Sequence, residues 1–362
     1  MRKLSIVHTE ASLGWGGQEI RILSESQGLI GRGHEVKLLC PPEARIHAEA
    51  SRYGVPAIAL PIGRKRPAGV KALYGWLKRN PCDVVSTHSS TDSWLAAFAL
   101  LAMGRPIPTV RTRHISAPVP RNAPTRWLYT SAAARIVTTG EALKKELVER
   151  NGFPAQRIDS VPTGIDTARF RPGERNAARA RLNLPPDRKL VGIVATLRSW
   201  KGHKFLIEAL PPDAHLVIVG DGPMRGVLEE MADKHRVVFA GNQTDVVPWL
   251  QALDVFALPS YANEGVPQAL IQAMLVGLPC VTTSVGGIPE LAMHEQTALV
   301  VPAQDAKSLG QALQRLLADP ALGRRLGDAA RTHAAANFSY QRMLDRMEQI
   351  YRQVQPVAQV RR

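Results

Sequence analysis

Glu264 lies in the stretch PSYANEGVPQALIQAMLVGLPCV, residues 259–281, a carboxylate followed at once by Gly265, Val266 and a helix-like pattern. Pro267 suits a first helical turn, where its missing N–H would be unpaired anyway. Ala269, Leu270, Ala273 and Met274 recur at helical spacing, and Gly277 with Pro279 stops the run. The spacing predicts a helix opening near Pro267, with Glu264 and the amides of Gly265 and Val266 at its N-terminus. Such an end carries roughly half a positive charge and free N–H donors, a seat for a phosphate. A carboxylate would repel the phosphate itself, but it would accept the hydroxyls of a group attached to that phosphate. Phosphate plus polyol is the outline of a nucleotide sugar.

Other residues supply matching chemistry. The apolar, β-branched run LVGIVAT, residues 190–196, reads as a buried strand, and LRSWKGH follows it with Arg198 and Lys201. Two cations near a helix N-terminus would hold a diphosphate and offset charge as a glycosidic bond breaks. No Asp-x-Asp occurs in the chain, so a metal-bridged diphosphate is not expected. The strand Leu4 to His8 runs into Gly14–Trp15–Gly16–Gly17–Gln18–Glu19, a loop whose glycines admit an anion or sugar close to the backbone. The spacing is not the dinucleotide pattern G-x-G-x-x-G. The strand IPTVRTRHI, residues 107–115, ends in Arg111, Arg113 and His114, and His88 follows another strand, Asp83 to Thr87.

The Glu264 segment resembles that of the retaining GT-B glycosyltransferases, the glycosyl transferase group 1 family (glycosyltransferase family 4). Glu264 takes the place of the family's first helix-opening Glu, which holds hydroxyls of the donor sugar. The second Glu, which holds the nucleotide ribose, is replaced by Gln272; its carbonyl still accepts a ribose O–H but carries no charge. The resemblance extends to Arg198 and Lys201 at the diphosphate, to Gly16 and Gly17 facing the donor's phosphate and sugar, and to Asn242 near the base. It places His114 against the transferred sugar, with His88 the rival. The implied fold is α/β: two Rossmann-like, doubly wound parallel-sheet domains facing an interdomain cleft. The implied reaction is metal-independent and retaining, with a UDP- or GDP-sugar as substrate and no cofactor. The sequence shows no compelling carboxylate nucleophile, so attack from the leaving-group face is the implied route.

Elements and composition frame these residues. A chain of 362 residues exceeds one ordinary core. Pro172, Gly173, Pro185 and Pro186 interrupt a charged stretch and mark a domain break; the resemblance implies an acceptor-binding domain at 1–170 and a nucleotide-sugar domain at 171–337. The segment 338–362 is amphipathic through Met343, Met347, Ile350 and Tyr351, and the resemblance implies that it folds back on the first domain. Residues 1–170 hold 24 Lys and Arg against 13 Asp and Glu, a surplus of 11; the remainder holds 22 against 18, a surplus of 4, together the formal +15. A lopsided basic domain points to an anionic partner. Arg64, Lys65 and Arg66, then Lys71, Lys78 and Arg79, bracket Leu73, Tyr74, Trp76 and Leu77, a pattern suited to an anionic bilayer. Arg111 and Arg113 would meet an acidic acceptor. A glycan or lipid-linked acceptor fits, with cell-envelope polysaccharide or lipopolysaccharide core synthesis as the setting. No nucleic-acid signature is present. Cys40, Cys82 and Cys280 form no metal or disulfide pattern. Trp94 to Met103 is too short to span a bilayer and reads as a buried helix. A cytoplasmic protein, peripheral on the inner face of the cytoplasmic membrane, is expected. A GT-B epimerase or a catalytically inactive sugar- or membrane-binding relative is the alternative; only Gln272 favours the latter.

Overall fold

A computed structural model describes residues 2–104, 107–114 and 117–355. Ile115, at the end of the IPTVRTRHI run, and residues 356–362 of the expected last segment lie outside the described residues. The chain divides into two compact units, one running to Gly164 and resuming at Gln341, the other spanning Ile165–Tyr340.

The first unit is built on seven parallel strands: β1 (Ser5–Thr9), β2 (Glu35–Cys40), β3 (Ala57–Ala59), β4 (Val84–Thr87), β5 (Thr109–Arg113), β6 (Arg135–Thr138) and β7 (Ile158–Ser160). Their order across the sheet is β3-β2-β1-β4-β5-β6-β7. The order reverses between β1 and β4, whose register pairs Ile6 with Val84 and Thr9 with Thr87. A reversal of this kind leaves a crevice outside the strand C-termini. The helix Gly17–Gly31 follows β1 and, unusually, buries Glu19, Arg21, Glu25 and Ser26 along with its apolar residues. The helix Ser90–Met103 starts with a capping box in which Ser89 and Asp92 satisfy each other's backbone N–H.

The second unit repeats the plan with six parallel strands: β8 (Lys189–Val194), β9 (Ala214–Val219), β10 (Val237–Gly241), β11 (Val255–Leu258), β12 (Cys280–Thr282) and β13 (Leu299–Val300). Their order is β10-β9-β8-β11-β12-β13. Leu190, Val191 and Ile193 are fully buried, as expected of a parallel strand covered on both faces. Each such side chain contributes about 1.5–3 kcal/mol by leaving water. Both sheets thus have the strand order of a doubly wound Rossmann-like domain.

The helix Tyr340–Gln353 belongs to the first unit from Gln341 onward. Its Met343, Leu344, Met347, Ile350 and Tyr351 are buried. Tyr351 reaches Glu25 at 2.7 Å and Ser86 at 3.0 Å, and Arg21 lies 3.8 Å from the Met347 sulfur. The expectation of a buried helix over Trp94 to Met103 needs correction. The helix begins earlier, at Ser90, and exposes one apolar face: Phe98 is 46% and Leu101 68% accessible. No helix among the described residues is long and apolar enough to cross a membrane.

Candidate active site

The neighbouring parallel strands β8, β11 and β12 release three loops side by side at their C-terminal ends, where ligands bind in sheets of this kind. The loops are tied to one another. Tyr261 N donates to Trp200 O at 2.9 Å, and Gly287 N donates to Glu264 O at 3.2 Å. The Thr283 hydroxyl donates to Ser260 O at 2.6 Å. Two glycines permit this closeness. A Cβ at Gly202 (φ +77) would lie 2.1 Å from Pro259 O, and one at Gly286 (φ +59) would lie 2.0 Å from Glu264 O. Both positions are left-handed, a conformation glycine adopts without steric cost.

This framework brings Lys201 and Glu264 together. Lys201 Nζ lies 2.6 Å from Glu264 Oε1, and the Ser260 hydroxyl donates to the same oxygen at 2.6 Å. The Glu264 side chain is 4% exposed and that of Lys201 21%. With both donors on Oε1, Oε2 remains to accept from a third group such as a sugar hydroxyl. Arg198 is exposed two residues before Trp200, with its guanidinium 5.5 Å from the centre of that ring. Buried His203 is pushed down to about 4 by burial and by the Lys201 charge, so it stays neutral beside that cation.

The predicted helix is present but starts one residue later, as Gln268–Val276, with Pro267 as its N-cap and Gly277 (φ +84) closing it. Glu264, Gly265 and Val266 therefore lie in the loop that enters the helix, where Asn263 takes a left-handed φ of 56°. Gln272 is half-buried on the helix, and Asn242 is exposed just beyond β10. Neither bonds to the Lys201–Glu264 pair. Sequence reasoning missed the adjacent glycines Gly286 and Gly287, although their position just after the apolar run LPCVTT was a legible signal.

In the first unit Gly16 caps the helix that opens at Gly17. Its φ of −176° is extended backbone open to any residue, and a Cβ there would find nothing closer than 3.8 Å. The missing side chain therefore leaves space in front of the helix rather than relieving strain. Behind the loop, buried Glu10 accepts from Ser12 N at 2.7 Å and from Gln18 Nε2 at 2.5 Å. Burial and the neighbouring Asp92 charge push Glu10 up to about 8.

His114 and its rival His88 are placed together: His88 Nδ1 lies 3.0 Å from His114 Nε2. His88 Nε2 in turn lies 2.8 Å from His8 Nδ1. His114 is half-buried, whereas His88 and His8 are fully enclosed. Burial holds His88 and His114 well below the ordinary histidine range. Arg111 is buried, with its guanidinium 4.5 Å from the centre of the Tyr129 ring. Arg113 donates to Ala117 O and lies 3.4 Å from Tyr129 Oη. Arg111 Nε and Nη1 and Arg113 Nε are buried with no hydrogen-bond partner among the described residues.

Arg64, Lys65 and Arg66 are exposed where the helix Pro67–Arg79 begins. Of the apolar residues they bracket, Leu73, Trp76 and Leu77 are buried in the core, so these are not surface anchors. The accessible apolar groups are Tyr74 of this helix and Trp94 and Phe98 of the next. Lys65, Arg66 and Lys71 rim a groove of about 820 Å³ lined by Tyr74, Trp94 and Phe98. Trp94 and Phe98 also stack with Trp127, the three ring centroids lying 5.6–6.2 Å apart.

Two Rossmann-like parallel-sheet domains, with seven and six strands, define a GT-B protein. The sequence matches the family described as "Glycosyltransferase Family 4" over residues 15–169 and that described as "Glycosyl transferases group 1" over residues 188–319. The chain belongs to the group 1 glycosyltransferases. It is 29% identical over 296 residues to a D-inositol 3-phosphate glycosyltransferase of Mycobacterium tuberculosis, a match covering 77% of this chain and 58% of that protein. The chain thus spans little more than half the length of the curated relatives it matches. A glycosyltransferase from Rickettsia africae superposes with a TM-score of 0.87 at 19% identity, covering 98% of this chain and 99% of that one. Anabaena Alr3699/HepE in complex with UDP-glucose superposes with a TM-score of 0.83 at 19% identity, over 97% of this chain and 100% of its own.

Proposed function

We propose that this chain is a retaining, metal-independent glycosyltransferase that moves a sugar from a UDP- or GDP-sugar to a glycan or lipid-linked acceptor. The observation that carries the reading is the Lys201–Glu264–Ser260 cluster at 2.6 Å contacts, set in three loops at the C-terminal edge of the second sheet. A carboxylate already held on one oxygen accepts donor-sugar hydroxyls through the other. Lys201 and Arg198 offset the charge that grows on the leaving diphosphate, where fixed cations act most strongly if water is excluded. Gly265 and Val266 lend backbone donors, Gln272 takes the ribose, Asn242 borders the base, and Gly16 with Gly17 receives the phosphate and sugar. His114 contacts the transferred sugar. The leaving phosphate takes the acceptor's proton as the acceptor attacks from the same face. The curated mycobacterial relative is named a glycosyltransferase, which supports the reaction class; the Anabaena neighbour is in complex with UDP-glucose, which supports a nucleotide-sugar donor.

Residues 1–170 take the acceptor in this reading, and 171–337 take the donor. The basic rim and stacked aromatics beside Lys65 and Arg66 suit an acceptor with an anionic head and an apolar body, on an anionic membrane surface. Cell-envelope polysaccharide or lipopolysaccharide core synthesis, on the inner face of the cytoplasmic membrane, is the setting this supports. The test is binding and slow hydrolysis of UDP-, GDP- and ADP-sugars in the presence of chelator, for wild type and Glu264→Ala. One donor hydrolysed by wild type and spared by Glu264→Ala supports the reading. No binding to any of them overturns it.

A further inference from the structure

We infer that His8 and His88 are positioning residues that fix His114 as a neutral imidazole presenting its Nδ1–H outward, so that His114 donates a hydrogen bond to a substrate oxygen and does not act as a base. The inference rests on the reading of His114 as sugar-facing only for its functional consequence; the wire itself rests on geometry.

The three rings come from the C-terminal ends of adjacent strands, β1, β4 and β5, and form one chain of N···N contacts. His8 Nδ1 is 2.8 Å from His88 Nε2, and His88 Nδ1 is 3.0 Å from His114 Nε2. The His8 and His88 ring planes lie 16° apart. A neutral imidazole has one N–H and one bare nitrogen, so only two arrangements satisfy both contacts. In one, every ring carries its proton on Nδ1: His8 donates to His88, His88 donates to His114, and the His114 Nδ1–H is left over. In the other, every ring carries its proton on Nε2, and His8 Nε2–H is left over.

The far end decides between them. His8 is completely buried, and its Nε2 has no hydrogen-bond partner among the described residues. A buried N–H without a partner is rare, so His8 Nε2 is the bare nitrogen and all protons sit on Nδ1. The surroundings hold this polarity in place. Burial lowers all three histidines, and the charge of Arg21 adds to that effect. Arg21 is itself fixed by Val161 O at 2.6 Å and by Glu25 at 3.7 Å. Tyr351 stands edge-on to His8, with centroids 6.2 Å apart, and lies 3.0 Å from Ser86 Oγ, which is 3.4 Å from His88 Nε2. The His88 main-chain N–H donates to Asp92 at 2.8 Å, which anchors the middle ring. The half-buried His114 is then the open end of the wire.

The experiment is long-range ¹H–¹⁵N spectroscopy on the full chain labelled at histidine, with signals assigned from His8→Phe, His88→Leu and His114→Ala. At pH 7 and again at pH 5.5, all three rings should show the Nδ1–H pattern. In His88→Leu, and in His8→Phe should His88→Leu fail to fold, His114 should lose its single tautomer and show averaged or Nε2–H shifts. An Nε2–H or doubly protonated His114 in wild type overturns the inference, and so does a His114 signal unchanged in both variants. Turnover of UDP- and GDP-sugars by His114→Ala separates the two layers. Unchanged turnover beside the expected spectra would overturn the sugar-facing role while leaving the wire standing.

Discussion

Lys201→Ala separates charge support from folding. The Glu264 carboxylate is 4% exposed and receives the Lys201 ammonium and the Ser260 hydroxyl on one oxygen, each at 2.6 Å. Removing the ammonium leaves a buried negative charge with a single hydroxyl donor. Breaking a buried pair costs about 3–5 kcal/mol. Lys201 is 21% exposed and Ser260 remains, so the lower end, about 3 kcal/mol, is expected. That is a large part of the usual ~5–15 kcal/mol of stability, yet it leaves the chain folded. Adding Glu264→Gln removes the stranded charge, so the double variant should be more stable than Lys201→Ala alone by at least ~1 kcal/mol, a coupling typical of contacting residues. Turnover should behave differently. Losing one fixed donor at a developing oxyanion costs about 10²–10³ in kcat, and Glu264→Gln should not restore it. Urea unfolding and turnover of the preferred nucleotide sugar, measured on the same three proteins, read both effects. A Lys201→Ala variant with near-wild-type turnover would refute the catalytic role, and a double variant no more stable than Lys201→Ala would refute the stranded-charge argument.

Other perturbations follow from the same geometry. Gly286→Ala forces a Cβ to 2.0 Å from Glu264 O at a φ of +59°; it should lower stability by more than ~2 kcal/mol and abolish donor turnover, and an unaltered melting temperature would contradict this. Glu10 is raised from 4.5 to about 8 when folded, so the native state keeps a proton that the unfolded chain releases. Stability from this group is full below about 4.5 and falls as pH rises to about 8, and Glu10→Gln should flatten that decline in melting curves. His8, His88 and His114 are lowered from 6.5, so protons bind the unfolded chain first and stability falls as pH drops below about 6.5; His8→Phe should soften that acid limb. Lys65→Glu with Arg66→Glu should weaken sedimentation with phosphatidylglycerol vesicles by about 1 kcal/mol or more per residue at low salt, whereas equal sedimentation would remove the membrane reading.

Much of the second unit was legible because its strands are short apolar runs bounded by turn residues. The run LVGIVAT, residues 190–196, reads as a buried strand and forms β8, Lys189–Val194. The meeting of Lys201 with Glu264 was implied only by resemblance, because neither lies near the other in sequence and what joins them is the adjacency of β8 and β11. The basic helix shows where pattern reading fails. Leu73, Trp76 and Leu77 sit at helical spacing, which marks a core-facing stripe as readily as a membrane face, and burial assigns them to the core. The edge strand Ala57–Ala59 is only three residues long with a single β-branched side chain between two prolines, Pro56 and Pro61, too short to announce itself. The histidine wire was illegible for a different reason: its members come from three separate strand ends, and no local periodicity links them.

The return of residues 341–353 to the first unit has a consequence for synthesis. Arg21, Glu25 and His8 sit beneath Met347 and Tyr351, so the interior of that unit is unfinished when Gly164 leaves the ribosome. The whole of Ile165–Tyr340 must be translated first, a delay of about 10–35 s at ~5–20 residues per second. During that interval the nascent unit shows water a row of charged and imidazole groups destined to be dry. The second unit, contiguous in the chain, is free to fold before the first is complete, reversing the usual order in which an N-terminal domain matures first.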